Sequence, residues 1–371
     1  MLAAEDGLVR RRLRAQRLTG AGFASVEEAV GSLVAVQAQD YGPAKWSVGM
    51  RTVGATEGRV EEAFGTGALL RTHVLRPTWH FVLPADIRWL LTATAPRIKA
   101  RDAGRCRQLG LDEETFARSA RLLAEALRGG DALTRAEAGA VLARGGVNVA
   151  GQRLPYLLMH AELEALICSG PRRGAQHTYM LLDERAPSAV DLPREEALAR
   201  LAVRYFSGHG PATERDLAAW ASLTLAEVRR ALDAAGGLVR EDVGGTVYWS
   251  GDEPAPAGAG RTDPEVRLIH TYDEYIMGFA GSRRLLTASG QGLPERWTPL
   301  VLLDGSEAGS WRRTVAREAV VEVVLRRPFD EARIAALEAE AARFGEFLGL
   351  AALLRVESAE TDETVDHRGG E

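Results

Sequence analysis

Apolar and polar positions run through three rounds of one pattern, helical spacing giving way each time to alternation. In the first round a basic helix is expected around residues 6–17. Ser25 and Glu28 then form a capping box before an apolar run, and further helices follow at 42–52 and near 57–64. The segment 69–83, LLRTHVLRPTWHFVL, is rich in β-branched and aromatic residues and is broken by Pro77, which predicts a β-hairpin or wing. The second round has a capping box from Thr134 to Glu137, a short helix, Gly145-Gly146, a long helix near 152–168, a turn at 169–174 and a strand at 177–182. The third has a helix near 194–206, a second opened by Thr213, and a capping box of Thr224 and Glu227 opening a helix to about 234. Two strands across 236–250 joined by Gly244-Gly245 complete it. Helix, turn, helix and hairpin is the order of a winged helix-turn-helix. A helical stretch at 84–128 separates the first two rounds.

Residues 252–264, DEPAPAGAGRTDP, predict a linker. Beyond it the pattern is mixed α/β: three strand-like runs (VRLIH, PLVLLD, VVEVVLRR), a hairpin tip at Asp304-Gly305 and a helix at 331–350. The expected units are 1–128, 129–190, 191–251 and a C-terminal mixed part at 265–355. The polar, acidic stretch 356–371 reads as a disordered tail.

Composition narrows the classes. No apolar run is long enough for a membrane span, and the N-terminus lacks the apolar core of a secretory signal, so a cytoplasmic location is expected. The two cysteines, Cys106 and Cys168, and the seven histidines form no metal-ligand spacing. Neither a metal nor a cofactor is therefore expected, and no segment calls for an obligate protein partner. The motifs of P-loop, serine-hydrolase and Rossmann chemistry are absent. The net charge of −5 argues mildly against a nucleic-acid partner, yet almost every cation is arginine, the better residue for phosphate forks; the lysines are Lys45 and Lys99 alone.

Gln37-Ala38-Gln39 follows the apolar run LVAV and precedes Gly42-Pro43, which should force the chain out of helix. If 36–40 is extended, both amides lie on one side and Val36 and Ala38 face the core. The residue types alone favour a plainer reading, in which both amides satisfy backbone groups of a loop. Arg71, His73, Arg76 and His80, beside Trp79, suit phosphate and groove contact, or else make a surface hairpin with a satisfied histidine. Arg172-Arg173 at the second hairpin tip, and more weakly Arg312-Arg313 after Trp311, suggest similar contacts, and Lys45 suits a phosphate near the glutamines. Asp273-Glu274 admits a general base, although such pairs more often cap a helix or meet an arginine.

Several segments together resemble the winged-helix DNA glycosylases of the AlkZ type: RLRAQRL (12–18), VQAQDYGPAKW (36–46), LRPTWHFVLPADIRWL (75–90), RLPYLLMHAELEALICSGPRRG (153–174), YFSGHGPAT (205–213), YDEYIMGF (272–279) and LLDGSEAGSWRR (302–313). They stand in the family's order and span most of residues 5–350. The resemblance implies an α+β fold of three tandem winged helix-turn-helix motifs around a concave DNA-binding face, with a C-terminal β-rich part. It implies excision of N-alkylated purines from double-stranded DNA, including bulky adducts and, in some members, interstrand crosslinks. The family's motif is Gln-x-Gln in one branch and Gln-x-Asp in the other. Gln37 and Gln39 match the first, associated with self-resistance to DNA-alkylating natural products. This reverses the plainer reading of the two amides. Without the resemblance, the repeated helix-turn-helix would equally suit a non-catalytic DNA-binding regulator, and the negative charge an interaction module.

Overall fold

The computed structural model describes residues 2–251, 264–286 and 298–358. Its first helix, Leu2–Ala15, leads to Val26–Leu33, which buries Val26, Ala29, Val30 and Leu33 at helical spacing. The Ser25 hydroxyl accepts from Glu28 N–H at 3.1 Å, but the Glu28 carboxylate accepts from Ala24 N–H rather than from Ser25, so only half of the expected capping box forms. Gly42-Pro43 does not end a helix. It lies in the first turn of Tyr41–Gly49, where proline lacks only an N–H that has no intrahelical partner.

Each round closes in an antiparallel hairpin. Leu70–His73 pairs with Trp79–Val82, and Val36–Gln37 adds a third strand on the outer side of Trp79–Val82, with Gln37 opposite His80. Ile167–Arg173 pairs with Gln176–Leu181, and Leu238–Val243 with Thr246–Gly251. The last two strands turn on Gly244 and Gly245, both at positive φ, as a tight two-residue hairpin requires. The helices before the second and third hairpins, Arg135–Arg144, Glu214–Trp220 and Leu225–Ala234, open on full capping boxes at Thr134, Thr213 and Thr224.

The helix expected to 168 ends at Leu163, and residues 169–173 of the turn expected at 169–174 are strand, because Ala165 takes a left-handed φ of 54°; the turn itself begins at Gly174. Pro171 fits inside that strand where the register is irregular, between Gly170 and Arg173. Arg172 and Arg173 therefore precede the hairpin tip rather than form it.

The helices Ile87–Gln108 and Glu113–Ala126 connect the first two rounds. The C-terminal part is a five-stranded sheet. Val266–Ile269, Leu300–Leu303, Ser306–Val315 and Ala319–Leu325 lie antiparallel, and Ala352–Ser358 joins in parallel after the crossover helix Glu331–Leu348. Asp304-Gly305 turns the sheet's hairpin, with φ of 52° and 85°. Residues 356–358, expected in the tail, belong to the final strand; the rest of the expected tail, 359–371, and 252–263 of the linker expected at 252–264 lie outside the described residues.

One apolar core runs through the first and third rounds and the C-terminal sheet and takes in Met159, Leu163, Cys168 and Leu182 of the second round, while a smaller cluster around Phe116, Leu142 and Leu158 joins the second round to the connecting helices. Trp46 ties the segment after the glutamines into the larger core. Its ring meets Phe344 and Phe347 at 5.1 and 5.3 Å, and its Nε1 donates to the Leu268 carbonyl at 2.7 Å. Gly49 permits this approach, because a Cβ there would lie 2.3 Å from the Phe347 ring. Gly49→Ala is expected to destabilise the protein by about 1–3 kcal/mol through overpacking, read as a lower urea midpoint at unchanged m-value.

Candidate functional site

The glutamine segment is delivered by a strained bend. Val34 sits at φ 69°, a position a β-branched residue rarely occupies, and Leu75 sits at φ 65° just before Arg76. From that bend Val36–Gln37 runs extended, with Val36 and Ala38 fully buried. The glutamines themselves differ. Gln37 is only 3% exposed, whereas Gln39 is exposed, and its Oε1 accepts from Trp79 N–H at a long 3.4 Å.

Gln37 is held at both ends. Arg76 Nη2 donates to its Oε1 at 2.8 Å, and its backbone N–H donates to Glu274 Oε1 at 2.8 Å. Because guanidinium only donates, the Gln37 atom it meets must be the oxygen, which turns the amide NH2 the other way. Arg76 also donates to the Trp220 carbonyl at 2.6 Å and lies 3.0 Å from His80 Nε2. His80 Nδ1 sits 2.9 Å from the Thr78 carbonyl, which can only accept. The ring is thus neutral, with its proton on Nδ1 and Nε2 accepting from Arg76. Burial and the Arg76 charge together push the His80 pKa well below its ordinary value.

Glu274 is fully buried. Its Oε2 accepts from Trp220 Nε1 at 2.7 Å, and His209 Nε2 lies 3.6 Å away. Asp273 next to it does different work. It takes both terminal nitrogens of Arg51 at 2.7 and 2.8 Å, accepts from the Ser47 hydroxyl and caps Tyr275 N–H. Burial alone would raise its pKa, but the Arg51 charge and hydrogen bonds outweigh that and hold it down at about 2. Of the two adjacent carboxylates, then, Asp273 meets the ordinary fate of a cap paired with arginine, and Glu274 reaches Gln37.

The first hairpin does not present its cations to solvent. Arg71 is buried, donates to the Ala38 carbonyl at 3.0 Å and lies 4.3 Å over Trp79. Burial pulls its pKa down to about 10. His73 is buried against Glu162. Of the four residues expected to grip phosphate, Arg71, His73 and His80 are buried and Arg76 is half-buried; one neighbour of this hairpin is the second hairpin, whose Ser169 Oγ accepts from the Arg71 backbone N–H. Arg71, Arg76 and His80 meet the glutamine segment, at the Ala38 carbonyl, the Gln37 amide and the strand position opposite Gln37.

Lys45 is likewise engaged, 2.7 Å from Glu57 and 2.6 Å from Glu61. Arg172 shares Glu61 at 2.8 Å and lies 4.9 Å over Tyr41, whose hydroxyl donates to the same carboxylate. Arg173 is 55% exposed and pairs with Glu137; Arg312 is 77% exposed and pairs with Glu322. Arg313 is half-buried, 5.8 Å over Phe344, and reaches the Gly42 end of the glutamine segment. Among the described residues, no three His, Cys, Asp or Glu side chains group as metal ligands, and no helix is long and apolar enough to cross a membrane.

Glu274 and Trp220 escape any reading of local sequence. They stand 237 and 183 positions from Gln37, and the one hint was a carboxylate pair in YDEY whose members carry no mark of which is which.

A family model described as DNA glycosylase AlkZ-like matches residues 30–347, a span holding both glutamines, Arg76, Trp220 and Glu274. An interstrand DNA cross-link repair glycosylase of Streptomyces sahachiroi is 25% identical over 374 residues, covering 92% of this chain and 96% of that protein. The solved structure of Streptomyces sahachiroi DNA glycosylase AlkZ has the same α+β fold, with a TM-score of 0.77 at 24% identity over 95% of this chain and 98% of that one.

Proposed function

Because the chain belongs to the family of AlkZ-like DNA glycosylases, we propose that it hydrolyses the N-glycosidic bond of N-alkylated purines in double-stranded DNA, N7-alkylguanine among them, at Gln37 and Gln39. The observation that carries this reading is the Gln37 amide, whose oxygen is committed to a buried arginine and whose NH2 is thereby aimed elsewhere. Alkylation at N7 makes guanine a cation, so breaking C1′–N9 sends the bonding pair into the base and neutralises it. The enzyme then has to place a water at C1′ and tolerate a cationic sugar, rather than protonate a leaving group.

The two amides divide that work. Gln37 donates to the water oxygen through its NH2. Gln39, whose Oε1 is lightly held by Trp79 N–H, accepts a water hydrogen. The water oxygen bonds C1′ and its proton leaves to solvent. An unmodified purine lacks the charged leaving group, so such mild machinery discriminates by chemistry. The relative named for interstrand cross-link repair suggests that cross-linked purines, and self-resistance to the agents that make them, belong to this chain's range as well. An exposed Gln39 suits a base that cannot rotate freely out of the duplex.

The three helix-and-hairpin rounds serve on this reading as tandem winged helices lining a concave DNA-binding face. Arg173 and Arg312 are the outward cations expected to meet phosphate, with the half-buried Arg313 and the paired Lys45 and Arg172 as further candidates. The test is incubation with DNA containing N7-methylguanine followed by alkaline cleavage. Strand breaks at the lesion support the reading, and binding without breaks contradicts it.

Strand cleavage by the enzyme itself is not expected. A β-lyase needs a free amine; besides the N-terminus the chain offers only Lys45, whose Nζ is held between Glu57 and Glu61, and Lys99, whose Nζ is bound to Glu164 at 2.6 Å. Borohydride added during turnover should trap no covalent protein–DNA adduct.

A further inference from the structure

We propose that Glu274 is a positioning residue for excision, acting on the water-placing amide through the backbone of Gln37; this rests on the catalytic reading of Gln37. Four residues from four distant parts of the chain close a ring. Arg76 donates to Gln37 Oε1 and to the Trp220 carbonyl, Trp220 Nε1 donates to Glu274 Oε2, and Glu274 Oε1 accepts the Gln37 backbone N–H. Gln37 lies on the edge strand of its sheet, and the N–H that another strand would otherwise take is taken by this carboxylate. The ring thus fixes both the main chain and the amide of one residue.

The chemistry of the position asks for a carboxylate rather than an amide. Both oxygens face donors, Gln37 N–H on one side and Trp220 Nε1–H on the other. A glutamine at 274 would set its own NH2 against one of them. A fully buried negative charge is also costly to keep for structural reasons alone. Behind Gln37 it offsets the buried Arg76 and favours the cationic sugar of the transition state.

The test uses the full chain and single-turnover release of N7-methylguanine from a defined duplex. Glu274→Gln is expected to lower the rate constant by about 100-fold, the scale of a misplaced reacting group, with affinity for the duplex within about twofold of wild type. Because Glu274 acts through Gln37, the Gln37→Ala/Glu274→Gln double variant should be no slower than Gln37→Ala alone. A merely structural role would instead multiply the two losses, and that result overturns the proposal. So does wild-type excision by folded Glu274→Gln. Trp220→Phe keeps an aromatic side chain but removes the N–H to Glu274 together with the five-membered part of a buried indole, and in a folded variant it should slow excision by about tenfold. It carries the same test where Glu274→Gln does not fold, and a wild-type rate there counts against the proposal. Wild-type excision by Gln37→Ala would instead remove the reading of Gln37 itself, a failure read in the single variant and so distinguishable.

Discussion

Replacing Gln37 by alanine is expected to lower single-turnover excision of N7-alkylguanine by about 10²–10³-fold, the range seen when one transition-state hydrogen-bond donor is removed. Gln39→Ala should lose a similar amount, and Gln39→Leu, which keeps bulk without hydrogen bonding, should match it. The division of roles separates the pair further. Gln39→Asp should keep substantial activity, because a carboxylate still accepts from water and favours a cationic sugar. Gln37→Glu should not, because it would pair with Arg76 and leave no donor for the water. DNA affinity and melting temperature should change little at the exposed Gln39. Gln37 is buried, so its variants need thermal melting in parallel, and a rate loss that merely tracks lost folding would contradict the assignment.

Asp273→Asn is expected to cost about 3–5 kcal/mol of stability, because it leaves the fully buried Arg51 guanidinium without its counter-charge. Urea titration at neutral pH measures this directly. The same pair predicts an acid transition. Asp273 titrates at about 2 in the folded protein against an ordinary 3.8, so its contribution of about 2 kcal/mol is present above pH 3.8 and is lost as pH falls toward 2. Asp273→Asn should remove that stage. An earlier stage comes from His270, which burial depresses to about 4 from 6.5. The unfolded chain takes up that proton first, so the His270 contribution is present above pH 6.5 and is lost as pH falls toward 4. Stability that stays flat from pH 6.5 to 3 would contradict both assignments.

These two predictions rest on parts of the molecule that were unequally legible in the sequence. The three capping segments at Thr134, Thr213 and Thr224, the Gly244-Gly245 turn and the first hairpin are local signals, each read from a few adjacent residues, and they appear where local chemistry puts them. The helix near 152–168 was misjudged because its end depends on Ala165 taking a left-handed turn, which alanine does not advertise. The burial of the first hairpin's cations is not legible in the sequence for a different reason. Alternation tells which side chains share a face, but not whether that face meets water or another hairpin. Ser169, 98 positions on from Arg71, decides it. Asp273 and Glu274 likewise separate only when Arg51 and Gln37 come into view, each from more than 200 positions away. The glutamine pair was legible as a motif by family resemblance, and the difference between a buried Gln37 and an exposed Gln39 only by geometry.

The most direct measurement is release of free base from a duplex carrying one N7-methylguanine, followed by chromatography under single-turnover conditions, with wild-type protein and Gln37→Ala side by side. The account predicts free N7-methylguanine from the wild type and a release rate about 10²–10³-fold lower from a folded Gln37→Ala. Equal rates from the two proteins, or no free base from the wild type, would contradict it.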